Sequence, residues 1–203
     1  IIKVVEAIDG SQRRIVFALA LIVVVAGSIY AAFLGDGLRY ADEGEYLLIA
    51  ENLVRTGSYT LDGIHATAKR PPGYPLLLSV VFFLGGGAFE ARLLNFFLLA
   101  GSMVLLYRLL SEAGYGLAGA IAALLVLCYP VLFYAAGTFF PQTLGSFLFM
   151  AFLWTILGAS DISAPRAWSA GGMIGLLMLT IPTFVFVFVV SLVFLIVRGH
   201  SCK

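Results

Sequence analysis

Apolar residues fall along this chain in long blocks, divided by short polar breaks and by one long polar loop. Crossing a bilayer as a helix takes about 20 mostly apolar residues. Blocks that approach this length cover 15–34, 92–110, 117–135, 143–159, 168–181 and 183–197. The last two are short and meet at Pro182, so a single broken, tilted helix is the alternative to two spans there. The block at 74–84 is different. A helix over 73–86 reaches only about 21 Å, against a hydrocarbon core about 30 Å thick. Pro71-Pro72 start it and Gly85-Gly86-Gly87 stop it, which predicts an interfacial or re-entrant helix.

The polar loop, 35–91, contains a second predicted interfacial helix over 42–56. Tyr46, Leu47, Ala50, Leu53 and Val54 fall on one face, Glu45, Glu51, Asn52 and Arg55 on the other, and Gly57 is a natural stop. Such a helix is expected to lie flat at the membrane surface, with Asp42 and Glu43 in its first turn, where the helix dipole favours anions.

Basic residues set the expected orientation. If the helix over 73–86 does not cross, Lys3, Arg13, Arg14, Arg108, Arg166, Arg198 and Lys203 all share one side, the cytoplasm. The expectation is one all-α membrane domain of about six transmembrane helices plus the interfacial ones. Residues 1–14 and 198–203 are cytoplasmic, 15–34 is the first span, 35–91 is extracytoplasmic, and 92–197 holds the remaining spans.

Composition agrees with this class. The chain is 62% hydrophobic and 11% charged, where soluble domains carry about 25% charge. A net charge of +1 speaks against a nucleic-acid partner. Cys128 lies in an apolar block and Cys202 in the tail, so no disulfide framework is implied. The first block is longer than the roughly 7–15 residues of a signal-peptide core and predicts a retained anchor. The chain begins at Ile1 rather than Met, which fits either processing or a fragment. Gly101-Ser102, Gly116, Gly119, Gly145-Ser146, Gly171-Gly172 and Gly175 are expected to let helices approach closely.

Charge is unevenly placed. Seven of the eleven carboxylates and five of the twelve Lys/Arg lie within 35–92. Ionisable groups gathered at one membrane face are costly and mark a candidate site. Asp42 could act as a base that accepts a proton from an attacking hydroxyl, with Glu43 as its partner; the alternative is a helix N-terminal cap. Arg92 could grip a phosphate with its planar fork, or snorkel, or pair with Glu90. Lys69 and Arg70 could attract a lipid phosphate or serve as interfacial anchors. His65 has no His, Cys or Asp at ligand spacing, so no metal site is built on it; a divalent cation beside Asp42 is the only opening for one. No phosphate-cradling glycine loop and no Ser-His-Asp arrangement is present. No span carries an ionisable residue near its centre, which disfavours a transporter or channel.

Taken together, Asp42-Glu43 after the first span, an amphipathic helix ending in Gly57, Arg70-Pro71-Pro72-Gly73-Tyr74-Pro75, and Ala91-Arg92-Leu93-Leu94-Asn95 form an ordered set. This set resembles the polyprenyl-phosphate-sugar-dependent membrane glycosyltransferases of the GT-C fold, in the protein O-mannosyltransferase and aminoarabinose-transferase branch. The resemblance covers Arg13 to about Arg198 and corresponds to the N-terminal half of such an enzyme. It implies transfer of a sugar from a polyprenyl-phosphate donor to an extracytoplasmic acceptor, in a membrane such as the bacterial inner (plasma) membrane. It carries the catalytic acidic position to Asp42 and a donor-phosphate arginine to Arg92. The chain departs from the family where a second carboxylate often follows the third span, since Thr138-Phe139-Phe140-Pro141-Gln142 has none. It also departs within Leu179-Thr180-Ile181-Pro182-Thr183, where an arginine often stands at the place of Ile181. These departures keep open a catalytically silent relative that serves as a subunit of a larger membrane complex.

Overall fold

The computed structural model describes residues 2–158 and 163–201, with side chains for 10–158 and 163–193. Most of the described residues are helical. Its elements are α1 (Ile2–Leu34), α2 (Ala41–Thr56), α3 (Gly73–Phe83), α4 (Ala88–Glu112), α5 (Gly116–Cys128), α6 (Pro130–Ala136), α7 (Gln142–Leu157), α8 (Ala164–Thr180), a 3₁₀ turn (Pro182–Phe184) and α9 (Val185–Ser201). Among the described residues no strand forms, and Thr60 and Ala66 make one isolated antiparallel bridge.

Among the described residues two helices are long and apolar enough to cross a membrane, Gly10–Leu34 and Ala88–Glu112. Each has 25 residues, about 37 Å of helix. Taken together, α5 and α6 are long and apolar enough for a third, although they meet at an angle of 66°. The sequence pattern predicts one unbroken helix over 117–135, and the structure breaks it. Pro130 has no N–H to continue the ladder and drives the preceding residue out of the helical region. Tyr129 accordingly sits at φ −91°, ψ 101°. The break at Pro182 has the same origin, with Ile181 extended at φ −139°, ψ 98°. The end of the block at 143–159 lies outside the described residues, as do Cys202 and the side chains of Lys3, Arg198 and Lys203.

α4 is the central helix, packed on α1, α5 and α7. Val16, Val23, Phe96, Met103 and Ala123 form the core between α1, α4 and α5. A second core, built from Tyr46, Ala50, Tyr74, Leu78, Ala91, Phe139 and Leu144, sits under α2 and α3 and attaches the polar loop to the bundle. Some small residues do permit close contact. A Cβ on Gly145 would lie 2.6 Å from Ile181 Cδ1. Gly171, Gly172 and Gly175, expected to do the same, face open space with no atom within 4 Å.

The short helix is confirmed but ends at Phe83, followed by Leu84 and by Gly85 in the left-handed region at φ +84°. The amphipathic helix forms as well, with a different inner face. Glu43, Tyr46, Ile49 and Ala50 are buried, while Val54 is exposed. The apolar stripe read from the sequence omitted Ile49 and could not include a buried carboxylate. α2 packs on α3, and α3 in turn reaches α8.

Candidate functional site

Asp42 and Glu45 are three residues apart and share one face of α2. Both meet Arg70 from the loop that precedes α3. Arg70 Nη2 lies 2.5 Å from Asp42 Oδ1, Arg70 Nε lies 2.7 Å from Glu45 Oε2, and Lys69 Nζ lies 2.5 Å from Glu45 Oε1. The Arg70 guanidinium also stands 5.3 Å over the Tyr46 ring. Bonds from Lys69 and Arg70 hold the Glu45 carboxyl below its ordinary range. Burial works against the charge on Arg70, but its bonds to Asp42 and Glu45 outweigh this and raise its pKa.

Local structure fixes this loop. Asn52 on α2 donates to the carbonyls of Thr60 and Leu61 at 3.1 and 3.3 Å. Thr67 N donates to Tyr59 O at 3.0 Å, and the Tyr59 hydroxyl donates to Arg70 O at 3.0 Å. Burial pushes the Tyr59 phenol up to about 12. Contrary to the sequence reading, an aspartate does stand within reach of His65: Asp62, three residues before it, lies 2.7 Å away on the exposed tip.

The Arg70-Pro71-Pro72-Gly73 turn then lands on the break after α8. A Cβ at Gly73 would stand 2.3 Å from Thr180 Oγ1 and 2.9 Å from Thr180 Cα. Only glycine fits so close to another backbone. Two motifs over a hundred residues apart in sequence thereby enclose one cleft of about 520 Å³. Lys69 and Arg70 supply its polar wall, and Met178, Leu179 and Pro182 supply its apolar wall. A second groove of about 520 Å³ opens on the other flank of α2, near Asp36, Glu51 and Arg55. Two carboxylates against one guanidinium make it the poorer place for an anion.

Asp42 and Glu43 part company. The Asp42 side chain is 51% exposed, whereas Glu43 is 1% exposed. Glu43 Oε1 accepts from Arg39 N at 3.0 Å and Tyr40 N at 3.1 Å, and its Oε2 accepts from Phe139 N at 3.0 Å. Arg92 is also buried. Its Nε donates to Gly137 O at 3.1 Å, its Nη2 to Gly37 O at 2.6 Å and its Nη1 to Gly35 O, with Cζ 4.4 Å from the Phe139 ring centroid. Asn95 Nδ2 donates to Thr138 O at 2.9 Å and bonds the Tyr74 hydroxyl. Three consecutive residues, Gly137, Thr138 and Phe139, are therefore each held by a buried polar side chain. Glu90, the pairing partner considered for Arg92, instead accepts from Gly87 N at the start of its own helix, at 2.7 Å. The structure thus brings Asp42, Lys69 and Arg70 together and sets Glu43 and Arg92 behind them, on backbone groups.

Among the described residues no three of His, Cys, Asp or Glu gather as metal ligands. The Asp42 carboxylate is paired with the Arg70 cation.

A family model described as dolichyl-phosphate-mannose-protein mannosyltransferase matches residues 69–203, well over half of the chain. The chain belongs to this family. The match bears out the resemblance read from the sequence and agrees with membrane-spanning helices in an integral membrane protein. It takes in Lys69, Arg70, Arg92 and the break at Pro182, while Asp42 and Glu43 lie before its first residue. No curated protein and no solved structure matches the chain.

Sequence reasoning missed Asn95 as a loop holder, although it stood in the quoted Ala91–Asn95 motif, because a partner in another loop leaves no local signal. It also missed Tyr40, whose side chain meets those of Tyr134 and Phe140.

Proposed function

We propose that this mannosyltransferase-family chain transfers a sugar from a polyprenyl-phosphate donor to an acceptor hydroxyl at the extracytoplasmic membrane face. The observation that carries the reading is the shared cleft between the Arg70–Gly73 turn and the break after α8. It sets two cations against an apolar wall, next to an exposed carboxylate. A lipid phosphate has both needs at once, an anionic head and a hydrocarbon tail. Membership of a dolichyl-phosphate-mannose-protein mannosyltransferase family supports mannose as the sugar.

In this reading the acceptor oxygen attacks the anomeric carbon as the bond from that carbon to the phosphate oxygen breaks. Asp42 takes the hydroxyl proton. The electron pair leaves with the polyprenyl phosphate, whose growing charge Lys69 and Arg70 offset. A phosphate arriving at Arg70 competes with Asp42 for the same guanidinium, so donor binding itself frees the base. Glu43 and Arg92 fix the first turn of α2 and the 137–139 loop from behind. The remaining helices are assigned as further spans, six in all, with both termini cytoplasmic and 35–91 outside.

The absence of a carboxylate at Gln142, which is exposed, favours one rival reading, a silent subunit of a membrane complex. Binding of dolichyl phosphate separates the two. The purified protein in nanodiscs should bind it, and Lys69→Ala with Arg70→Ala should weaken binding at least tenfold. Failure of the unaltered protein to bind would leave the subunit reading.

A further inference from the structure

A shelf of aromatic side chains leads away from Arg70. Tyr46, beneath Arg70, meets Phe140 edge-on with ring centroids 6.4 Å apart. Phe140 meets the Tyr40 ring at 5.5 Å and 41°. Tyr40 is 47% exposed, and its hydroxyl lies 3.0 Å from the Tyr134 hydroxyl. Arg39 stands 5.3 Å over the Tyr134 ring. Tyr40 immediately precedes α2, whose first turn carries Asp42.

The shelf is held rigidly. Glu43 bonds the amides of Arg39 and Tyr40 on one side and of Phe139 on the other. Arg92 and Asn95 hold Gly137 and Thr138. Phe140 is the next residue along, and Tyr40 is fixed by the same carboxylate. Two rings from distant parts of the chain are thus set against each other by one buried group.

We propose that Tyr40 and Phe140 form the subsite for the sugar ring of the donor, a reading that rests on the transferase assignment above. A pyranose offers C–H groups on its faces and hydroxyls around its rim. The negative face of an aromatic ring suits the former, and paired phenols, each donor and acceptor, suit the latter. A lipid chain would gain nothing from the hydroxyl pair or from Arg39. The Arg70 guanidinium over the Tyr46 ring, and Tyr46 against Phe140, connect the phosphate-binding cations to this shelf, where the sugar bonded to that phosphate is assigned.

The test compares two probes in nanodiscs, dolichyl phosphate and dolichyl-phosphate-mannose. Tyr40→Ala should weaken the mannosylated lipid about tenfold, the scale of losing an aromatic contact and a hydrogen bond, and leave dolichyl phosphate unchanged. Phe140→Leu should do the same, and Tyr40→Phe should lose only part of the effect. An equal fall for both lipids in all variants would make the rings a structural support and overturn the sugar assignment. No change for either lipid would make Tyr40 a membrane-interface anchor and overturn it equally. If the unaltered protein binds neither lipid, the transferase reading itself fails, and the subsite with it.

Discussion

Arg92→Lys keeps a positive charge and removes the fork. In the structure three guanidinium nitrogens reach three carbonyls, on Gly35, Gly37 and Gly137, from two different loops. A lysine ammonium on a flexible stem can serve about one of them, because its donors do not span the same plane. Two carbonyls then lose a charged donor, at about 1.5–3 kcal/mol each. The contact over the Phe139 ring adds about 0.5–1 kcal/mol. The expected loss is about 3.5–7 kcal/mol, the scale of breaking a buried polar network. Unfolding followed in mixed micelles measures it directly. Binding of dolichyl phosphate by the fraction that remains folded should change less than threefold. Unchanged stability with phosphate binding lost tenfold or more would put Arg92 on the donor and refute the placement of its guanidinium on the loops.

Gly145→Leu should destabilise the protein by about 1–3 kcal/mol, the cost of overpacking, since a Cβ there would lie 2.6 Å from Ile181 Cδ1; Gly172→Leu, in open space, should leave unfolding unchanged in the same micelle assay. The depressed pKa of Glu45 sets a pH dependence. Its pairing with Lys69 and Arg70 contributes above the ordinary carboxylate value of 4.5 and is lost as pH falls through the lower folded value. Amide exchange in 58–69 should therefore speed up below that range, and Glu45→Gln should show the fast exchange already at neutral pH. For topology, single cysteines at Ser58 and Ser111 in a background without Cys128 and Cys202 should label from outside and only after permeabilisation, respectively. Outside labelling at Ser111 would mean that α3 crosses.

Much of the fold was legible because hydrocarbon length and proline leave strong local marks. The span at α4, the short α3 and the break at Pro182 all follow from counting apolar residues between Gly and Pro. The same logic at Pro130 went unused, since the apolar run on both sides masked the break. The site was less legible. Asp42-Glu43 and Lys69-Arg70 stood out as charges, but adjacency in sequence suggested a working pair where the helix turns Glu43 inward and Asp42 outward. Arg92 looked like a phosphate ligand because its partners are backbone carbonyls, which every sequence contains and none advertises. The meeting of Gly73 with Thr180 depends on long-range packing alone.

Sugar transfer from dolichyl-phosphate-mannose to a hydroxyl acceptor by the purified protein, with and without Asp42→Asn, bears most directly on the proposed chemistry. Asparagine keeps the size of the side chain and gives up only a half-exposed ion pair with Arg70, worth little to folding. Transfer should fall by about 10²–10⁴, the usual contribution of a general base, while dolichyl phosphate still binds. Transfer that persists at the unaltered rate in Asp42→Asn would contradict the assignment of Asp42 as the base.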